Sequence, residues 1–143
     1  MEIFKKSILW IWQLPQNILG ICFFGILKIS KAINESYPYK DTKVYYYNNS
    51  FLSGVSLGNY IFIRGELTNF SKHYTVLHEY GHHIQSMRWG IFYLFIIGIP
   101  SVINNLWDRF FHKKWSYSDR YIWYYSRYPE KQADILGNVP KRW

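Results

Sequence analysis

The feature that most constrains this chain is the run His78-Glu79-Tyr80-Gly81-His82. In an α-helix, residues four apart differ by about 400° around the axis, so the imidazoles of His78 and His82 would project from one face. Two imidazoles placed in this way can ligate one Zn²⁺ ion, whose bonds to histidine nitrogen are about 2.0–2.1 Å long. Glu79 would flank that ion and could take a proton from its water. The run therefore predicts a helix with two metal ligands and a general base.

The predicted zinc helix begins near Asn69 or Ser71, both of which are favoured N-cap residues, and ends at Trp89, before Gly90. A glycine in the middle of a helix costs about 1 kcal/mol relative to alanine. We therefore expect another part of the protein to approach the backbone closely at Gly81.

Two other histidines of the same segment are not predicted to be ligands. His73 lies more than one turn before His78 and is too far along the axis to share an ion with it. His83 points away from the predicted metal face, so we expect it to make polar contacts elsewhere.

A second acidic pattern lies near the C-terminus. Residues 128–137 predict a short helix, with Pro129 at its first position and Gly137 just beyond its end. Glu130 and Asp134 are four residues apart and would share one face of that helix. Two solvated acids on a surface helix would give the same pattern, so the spacing alone leaves both interpretations open.

Together the two patterns resemble those of zinc metallopeptidases of the gluzincin, or thermolysin-like, branch, and of small bacterial zincin-like proteins with membrane-associating segments. The resemblance implies that Glu130 is the third zinc ligand beside His78 and His82, and that Asp134 orients His78. It also implies that Glu79 is the catalytic base of peptide-bond hydrolysis. The resemblance does not single out the group that stabilises the oxyanion among Tyr121, Tyr124, Tyr125, Arg127, Tyr128 and His112.

The segment before the zinc helix predicts a small sheet. Residues 30–43 are polar, contain Pro38 and are predicted to be a connector. Residues 44–47 and 54–63 are predicted strands that pair as an antiparallel hairpin, which ends at Arg64. We expect the exposed edge of this hairpin to bind an extended peptide across the metal; an ordinary structural hairpin is the alternative.

The N-terminal segment, residues 1–29, is apolar after a basic start. Its uninterrupted apolar part, residues 18–27, is too short to cross about 30 Å of hydrocarbon. We predict two helical pieces with a break near Pro15 that associate with a membrane interface, with the alternative that they pack on the catalytic domain.

Residues 90–107 form the most apolar run. If this run crossed a membrane once, Glu130 and His82 would lie on opposite sides, which the ligand assignment excludes. Because Gly98 and Pro100 favour a kink or an end of a helix, we predict a bent hairpin that dips into the interface or packs in a core.

Charge and cysteine content decide among the remaining functional classes. The net charge of +8 indicates an anionic partner, and phospholipid is favoured over nucleic acid because the basic residues are dispersed and no nucleic-acid module is recognisable. Structural zinc sites favour cysteine and four protein ligands, whereas the sole cysteine, Cys22, is remote from the motif.

The sequence therefore predicts an α+β fold, a mostly helical minimal zincin-like domain over residues 30–143 with apolar membrane-associating helices. Its predicted function is that of a membrane-associated zinc metallopeptidase acting on a peptide or protein. The alternative is a non-enzymatic membrane-surface interaction protein with a structural or vestigial zinc site.

Overall fold

The computed structural model describes residues 1–48 and 52–142, apart from the side chain of Glu2. The described residues form an α+β fold, which confirms the predicted class at that level. The helices are α1 (Glu2–Trp12), α2 (Leu14–Ile29), α3 (Asn69–Trp89), α4 (Ile99–Phe111), α5 (Tyr117–Tyr125) and α6 (Glu130–Gly137). The strands are β1 (Ile33–Tyr39), β2 (Thr42–Tyr47), β3 (Gly54–Leu57) and β4 (Tyr60–Arg64).

The sheet is mixed, with the strand order β1-β2-β4-β3, and so differs from the predicted antiparallel hairpin. Residues 54–63 are not one strand, because a turn with Gly58 at φ +63° divides them into β3 and β4, which pair antiparallel. The predicted strand at residues 44–47 lies within β2, but β2 pairs with β4 in the parallel direction. The hairpin therefore forms between β3 and β4, and β3 is left at an edge.

The prediction that residues 30–43 are a connector is wrong. These residues contain β1, which pairs antiparallel with β2. Pro38 lies inside β1 opposite Lys43. A proline is compatible with this strand because β1 is at the other edge of the sheet, where one side of the backbone needs no ladder partner.

Alternating side chains of the sheet pack against helices on both faces, as the two-residue period of a strand requires. One face packs against Val76 and Tyr80 of α3 through Val44, Ile61 and Ile63. The opposite face packs against Leu27 of α2 through Tyr45, Tyr47 and Phe62. The sheet is thus the middle layer between α2 and α3, and α3 is the helix that carries the histidine motif.

The N-terminal segment bends where the sequence predicts it. The axes of α1 and α2 differ by 88°, with Pro15 in the first turn of α2. The buried Gln16 amide joins the start of α2 to the end of α3. Its Nε2 donates to the Ser86 hydroxyl and to the Gly90 carbonyl, both at 2.9 Å. Among the described helices none is by itself long and apolar enough to cross a membrane, and only α1 and α2 together pass on length and composition.

Helix α3 has the predicted bounds, Asn69 to Trp89, and Gly90 is its C-cap. Its N-cap is Thr68 and neither of the two residues expected, since the Thr68 hydroxyl accepts a hydrogen bond from the Ser71 amide at 3.2 Å. The same helix is a continuous 21 residues long, so it carries the whole histidine motif on regular geometry.

Residues 90–107 are helical, with a 3-10 turn (Gly90–Phe92), a π-helical segment (Leu94–Gly98) and the first part of α4. Pro100 has no N–H for the carbonyl of Ile96, and the Tyr128 hydroxyl donates to that carbonyl instead at 3.0 Å. The sequence predicts that the chain turns back within residues 90–107. In the structure it turns back after α4, where Asp108 forms an ion pair with Arg120 of α5 at 2.6 Å.

Candidate metal centre

Helices α3 and α6 cross at backbone contact. A Cβ atom added to Gly81 would lie 1.9 Å from the carbonyl oxygen of Ala133, and one added to Gly137 would lie 1.9 Å from the carbonyl oxygen of Leu77. Both positions therefore require glycine, and the close approach expected at Gly81 is confirmed. The crossing places the first two turns of α6 directly over the histidine face of α3.

Three buried side chains converge at this crossing. Oε2 of Glu130 lies 3.0 Å from Nε2 of His78 and 3.1 Å from Nε2 of His82. The three candidate ligand atoms all lie within 4.8 Å of one another. In a tetrahedral zinc site with bonds of about 2.0–2.1 Å, neighbouring ligand atoms are about 3.3 Å apart. The structure thus brings the three sequence-predicted ligands to separations that fit one ion.

The other nitrogen of each imidazole already faces an acceptor. Nδ1 of His78 lies 2.7 Å from Oδ1 of Asp134, the residue expected to orient it. Nδ1 of His82 lies 2.7 Å from Oε1 of Gln85. The Gln85 amide cannot be reversed, because its Nε2 donates to the carbonyl of Pro129 at 3.2 Å. Each Nδ1 can therefore donate to its acceptor, which leaves the two Nε2 atoms, both directed at Glu130, as the nitrogens available to a metal ion.

This arrangement tests whether the residues fit a metal ion. Two nitrogen lone pairs and a carboxylate oxygen would repel one another unless positive charge lies between them. Two extra protons would supply it, but only as two buried imidazolium rings whose centroids are 4.8 Å apart. One divalent cation supplies the same charge to all three atoms. The second oxygen of Glu130, Oε1, is buried without a hydrogen-bond partner among the described residues, so the carboxylate has further capacity to coordinate. Two imidazoles and a carboxylate are a donor set that zinc accepts.

The electrostatics keep the carboxylates charged. Burial acts to raise the pKa of Glu130, but the nearby His82 and His78 outweigh it and hold this pKa well below its usual range. Burial likewise acts to raise the pKa of Asp134, and hydrogen bonds from His78 and Arg142 lower it overall. Burial acts to lower the pKa of His78, whereas Asp134 and Glu130 raise it to about 10. The crossing is therefore a place where positive charge is strongly favoured.

The pKa of Glu79 is raised, whereas the pKa values of Glu130 and Asp134 are lowered. Glu79 is buried, and burial raises its pKa more than the two histidines lower it. It lies against β3, because a Cβ atom added to Gly54 would be 2.8 Å from Oε1 of Glu79. A carboxylate whose pKa is raised towards neutrality is better suited to accept and return a proton.

Two residues that the sequence interpretation missed support the ligands. Gln85 follows His82 by three residues on the same helix, a spacing that places both on one face and could have revealed it. Arg142 binds Asp134 through both carboxylate oxygens, at 2.5 Å and 2.8 Å, and also contacts the Tyr121 hydroxyl. Arg142 lies in no predicted helix or strand, so the sequence carried no signal for it.

A cavity of about 560 Å³ adjoins the three converging side chains. Its polar lining includes His78, Glu79, His82, Glu130, Tyr93 and Tyr124, with Ser56, Ser101 and Asn105. The rest of the wall is largely apolar and comes from β3, the π-helical segment and α4. The cavity therefore leaves space beside the face on which Glu79 lies.

Of the six side chains considered for oxyanion stabilisation, Tyr124 is the one that lines this cavity in the described part of the chain. Tyr93, which was not considered, lines it as well. Burial raises the pKa of both tyrosines, so their hydroxyls stay protonated at neutral pH. The other five have different contacts: Tyr121 contacts Arg142, Tyr125 lies against His78, Arg127 stacks over Trp123, Tyr128 binds the Ile96 carbonyl and His112 stacks on Trp115.

Strand β3 forms one wall of the cavity and is an edge strand. The Ser53 carbonyl accepts a hydrogen bond from the Arg64 amide at 2.9 Å, so this pair belongs to the hydrogen-bonded set of the ladder. Hydrogen-bonded pairs alternate along antiparallel strands. The main-chain groups of Gly54 and Ser56 therefore point away from β4, to the outer edge of the sheet.

No protein-family model matches the chain, and comparisons with curated proteins and with solved structures gave no match.

Proposed function

We propose that the protein is a zinc-dependent metallopeptidase of gluzincin type. The observation that carries the proposal is the convergence of the His78 and His82 Nε2 atoms on Oε2 of Glu130, while each Nδ1 already faces an acceptor. The order of the residues along the chain, with Glu130 on a later helix and Asp134 behind His78, agrees with the resemblance to that class.

The proposed ligands are three, which leaves room for a water molecule, as catalytic zinc sites require. A bound zinc ion would supply Lewis acidity, which lowers the pKa of water and polarises a peptide carbonyl. Glu79 accepts the proton of the attacking water and returns it to the leaving amine, a role that its raised pKa supports.

The remaining walls of the cavity position the substrate. An extended peptide would add to the free edge of β3, with main-chain hydrogen bonds at Gly54 and Ser56. Tyr93 and Tyr124 are two hydroxyl donors on the cavity wall that could stabilise the oxyanion that develops on the substrate.

A pair of variants tests the proposal. Glu79→Gln should retain one zinc ion per chain, measured by elemental analysis, and should abolish hydrolysis of a fluorogenic peptide library, because the amide cannot accept the proton. Glu130→Ala should lose the metal as well as the activity. Wild-type protein that remains free of zinc under replete conditions would refute the metal site.

The same pair separates the enzyme from the alternative of a non-enzymatic protein with a structural or vestigial zinc site. In that case wild type and Glu79→Gln would bind zinc equally, and neither would hydrolyse any library member.

A further inference from the structure

Residues 7–27 and residues 89–107, both mostly apolar and helical, contain no charged residue. They are distant in sequence but meet at the cavity of the candidate metal centre, where Leu19 of α2 lies opposite Leu94 and Ile99 of the second segment. Both uncharged segments therefore contribute to the wall of this cavity.

Several apolar residues that line the cavity are also exposed to solvent. Ile99, Val102 and Ile103 line the cavity, yet their side chains are 50%, 57% and 54% exposed. Leu19 and Leu106 likewise line the cavity and are exposed. These five residues are called the apolar rim below. Contiguous exposed apolar surface of this kind marks an interaction site, since water does not stabilise it.

Basic residues lie at or near the ends of both uncharged segments. Lys6 and Lys28 directly flank the first segment; Arg88 precedes the second, which is followed by Asp108, Arg109 and Lys113. The acid closest to these ends, Asp108, is paired with Arg120. An apolar surface bordered by cations is complementary to a bilayer with anionic headgroups, where the apolar side chains enter the acyl boundary and the cations stay at the phosphates.

The wall of the cavity indicates what it accepts. Among the described residues that line it, His78, Glu79, His82 and Glu130 are the only ionisable side chains apart from the two tyrosines, so a charged substrate residue placed against the rest of this wall would lose its hydration without a partner. The outward-pointing main-chain groups of Gly54 and Ser56 on the edge strand favour an extended peptide along the same wall.

We propose that the substrate of this site is an apolar peptide segment at the surface of an anionic bilayer, which enters the cavity over the apolar rim while α2 and α4 rest on the lipid. This inference rests on the proposed peptidase function for its substrate, but the docking surface can be measured without activity.

The sole cysteine makes the docking test direct. Cys22 is exposed on α2 within the first uncharged segment, so an environment-sensitive fluorophore can be attached there in the otherwise unaltered protein. With vesicles of equimolar phosphatidylglycerol and phosphatidylcholine, we expect a blue shift of its emission and quenching by brominated acyl chains. Phosphatidylcholine vesicles should give a weaker response. Emission that does not change with the anionic vesicles would overturn the docking surface.

Two phenylalanines provide a matched pair of variants. Phe95, one turn before Ile99, and Phe70, on α3, are each 70% exposed. Phe95→Ser should lower the fraction of protein that floats with the anionic vesicles, by about tenfold in partition coefficient, because the ring is expected to enter the lipid. Phe70→Ser should float as wild type does. Equal effects of the two substitutions would overturn the assignment of this face.

The substrate is tested with an N-acylated, fluorogenic Leu- and Phe-rich peptide that binds to the same vesicles. Wild type should cleave it at least tenfold faster with vesicles than without, and faster than a peptide in which Asp replaces the apolar residues. Phe95→Ser should lose the stimulation by vesicles and keep its activity on a short soluble peptide. Hydrolysis of soluble peptides without stimulation would overturn the substrate inference and leave the peptidase intact. If the zinc-loaded protein cleaves nothing, the peptidase and its substrate both fail, whereas the Cys22 signal still reports docking.

Discussion

Helix α3 carries three buried histidines on two faces, and each face pairs histidine with a carboxylate. His78 and His82 face α6 and share Oε2 of Glu130. His83 faces the sheet, where its Nδ1 lies 2.7 Å from the Gly58 carbonyl and its Nε2 lies 3.4 Å from Oδ2 of Asp41. Burial is similar on the two faces, so burial alone does not mark the metal site.

The difference lies in how the acceptors are arranged. At His83 a single ring faces two separate acceptors, one on each ring nitrogen, and the Asp41 side chain is 43% exposed, so its carboxylate is accessible to solvent. On the other face, two rings direct nitrogen at one buried oxygen, and the nitrogens behind them are already bonded. The comparison teaches that convergence of several acceptors on one buried point distinguishes a candidate metal site from histidines that hold a fold together.

The largest expected effect comes from comparing an alanine substitution on each of the two faces of α3. His82→Ala should lower the affinity for zinc by about 100-fold or more, since loss of even an outer hydrogen-bond partner of a ligand typically costs about 10- to 100-fold. His83→Ala should keep one zinc per chain and lower the free energy of unfolding by about 1–3 kcal/mol, because the Gly58 carbonyl and Asp41 lose their donor. Competition with a chromogenic chelator and urea denaturation measure the two quantities. Loss of zinc in His83→Ala would erase the distinction.

The second prediction concerns the backbone contact on the metal face. Gly81→Ala should destabilise the protein by about 3 kcal/mol or prevent folding, because the new Cβ atom would meet the Ala133 carbonyl at 1.9 Å. Gly25→Ala on α2 is the matched control, since nothing lies within 4 Å of its Cβ position, and it should raise stability by about 0.5–1 kcal/mol. Urea denaturation of both variants, followed by circular dichroism, provides the measurement. A Gly81→Ala protein as stable as wild type would contradict the close crossing.

The third prediction asks whether the partner of His82 matters as an acceptor. Gln85→Leu should weaken zinc binding by about 10- to 100-fold, because His82 loses the oxygen that fixes its tautomer. Gln85→Glu keeps an acceptor oxygen at that place and should bind zinc more tightly than the leucine variant. Identical affinities for the two variants would show that Gln85 only fills space. Chelator competition at one pH ranks the three proteins.

Those parts of the molecule that depend on local chemistry were predictable from the sequence. The bounds of α3 follow from its terminal residues, and the break between α1 and α2 follows from Pro15. The close approach at Gly81 follows from the cost of an unexplained helical glycine. The spacing of the ligand-type residues on α3 and α6 likewise depends only on the helical repeat.

The remainder depends on contacts between distant residues, which a single sequence does not encode locally. Strand β1 was missed because an edge strand tolerates polar residues and Pro38. The parallel pairing of β2 with β4 was missed because the strand that follows β2 in sequence, β3, lies at the far edge of the sheet. Strand β4 therefore lies between β2 and β3. Arg142 was missed because its position beside Asp134 depends on how the chain returns after α6.

The smallest expected effect is a pH-dependent change in the free energy of unfolding, which comes from Asp41 beside His83 on the sheet-facing side of α3. The hydrogen bond from His83, aided by one from Tyr80, holds the pKa of Asp41 well below its usual range. A carboxyl whose pKa is lower in the folded than in the unfolded state stabilises the fold above its unfolded pKa, about 3.9, and loses this contribution as the pH falls towards its folded pKa.

Because Asp41 is partly exposed, Asp41→Asn should cost only about 0.5–1 kcal/mol at neutral pH. The difference from wild type should be constant above about pH 5 and should shrink below about pH 4, where wild-type Asp41 loses its advantage over the neutral amide. Urea denaturation of both proteins across this range in the presence of a chelator measures it, since the metal face is unchanged between them and cancels. A difference that grows as the pH falls would show that Asp41 is not held ionised by His83, and the two faces of α3 would then differ in more than the arrangement of their acceptors.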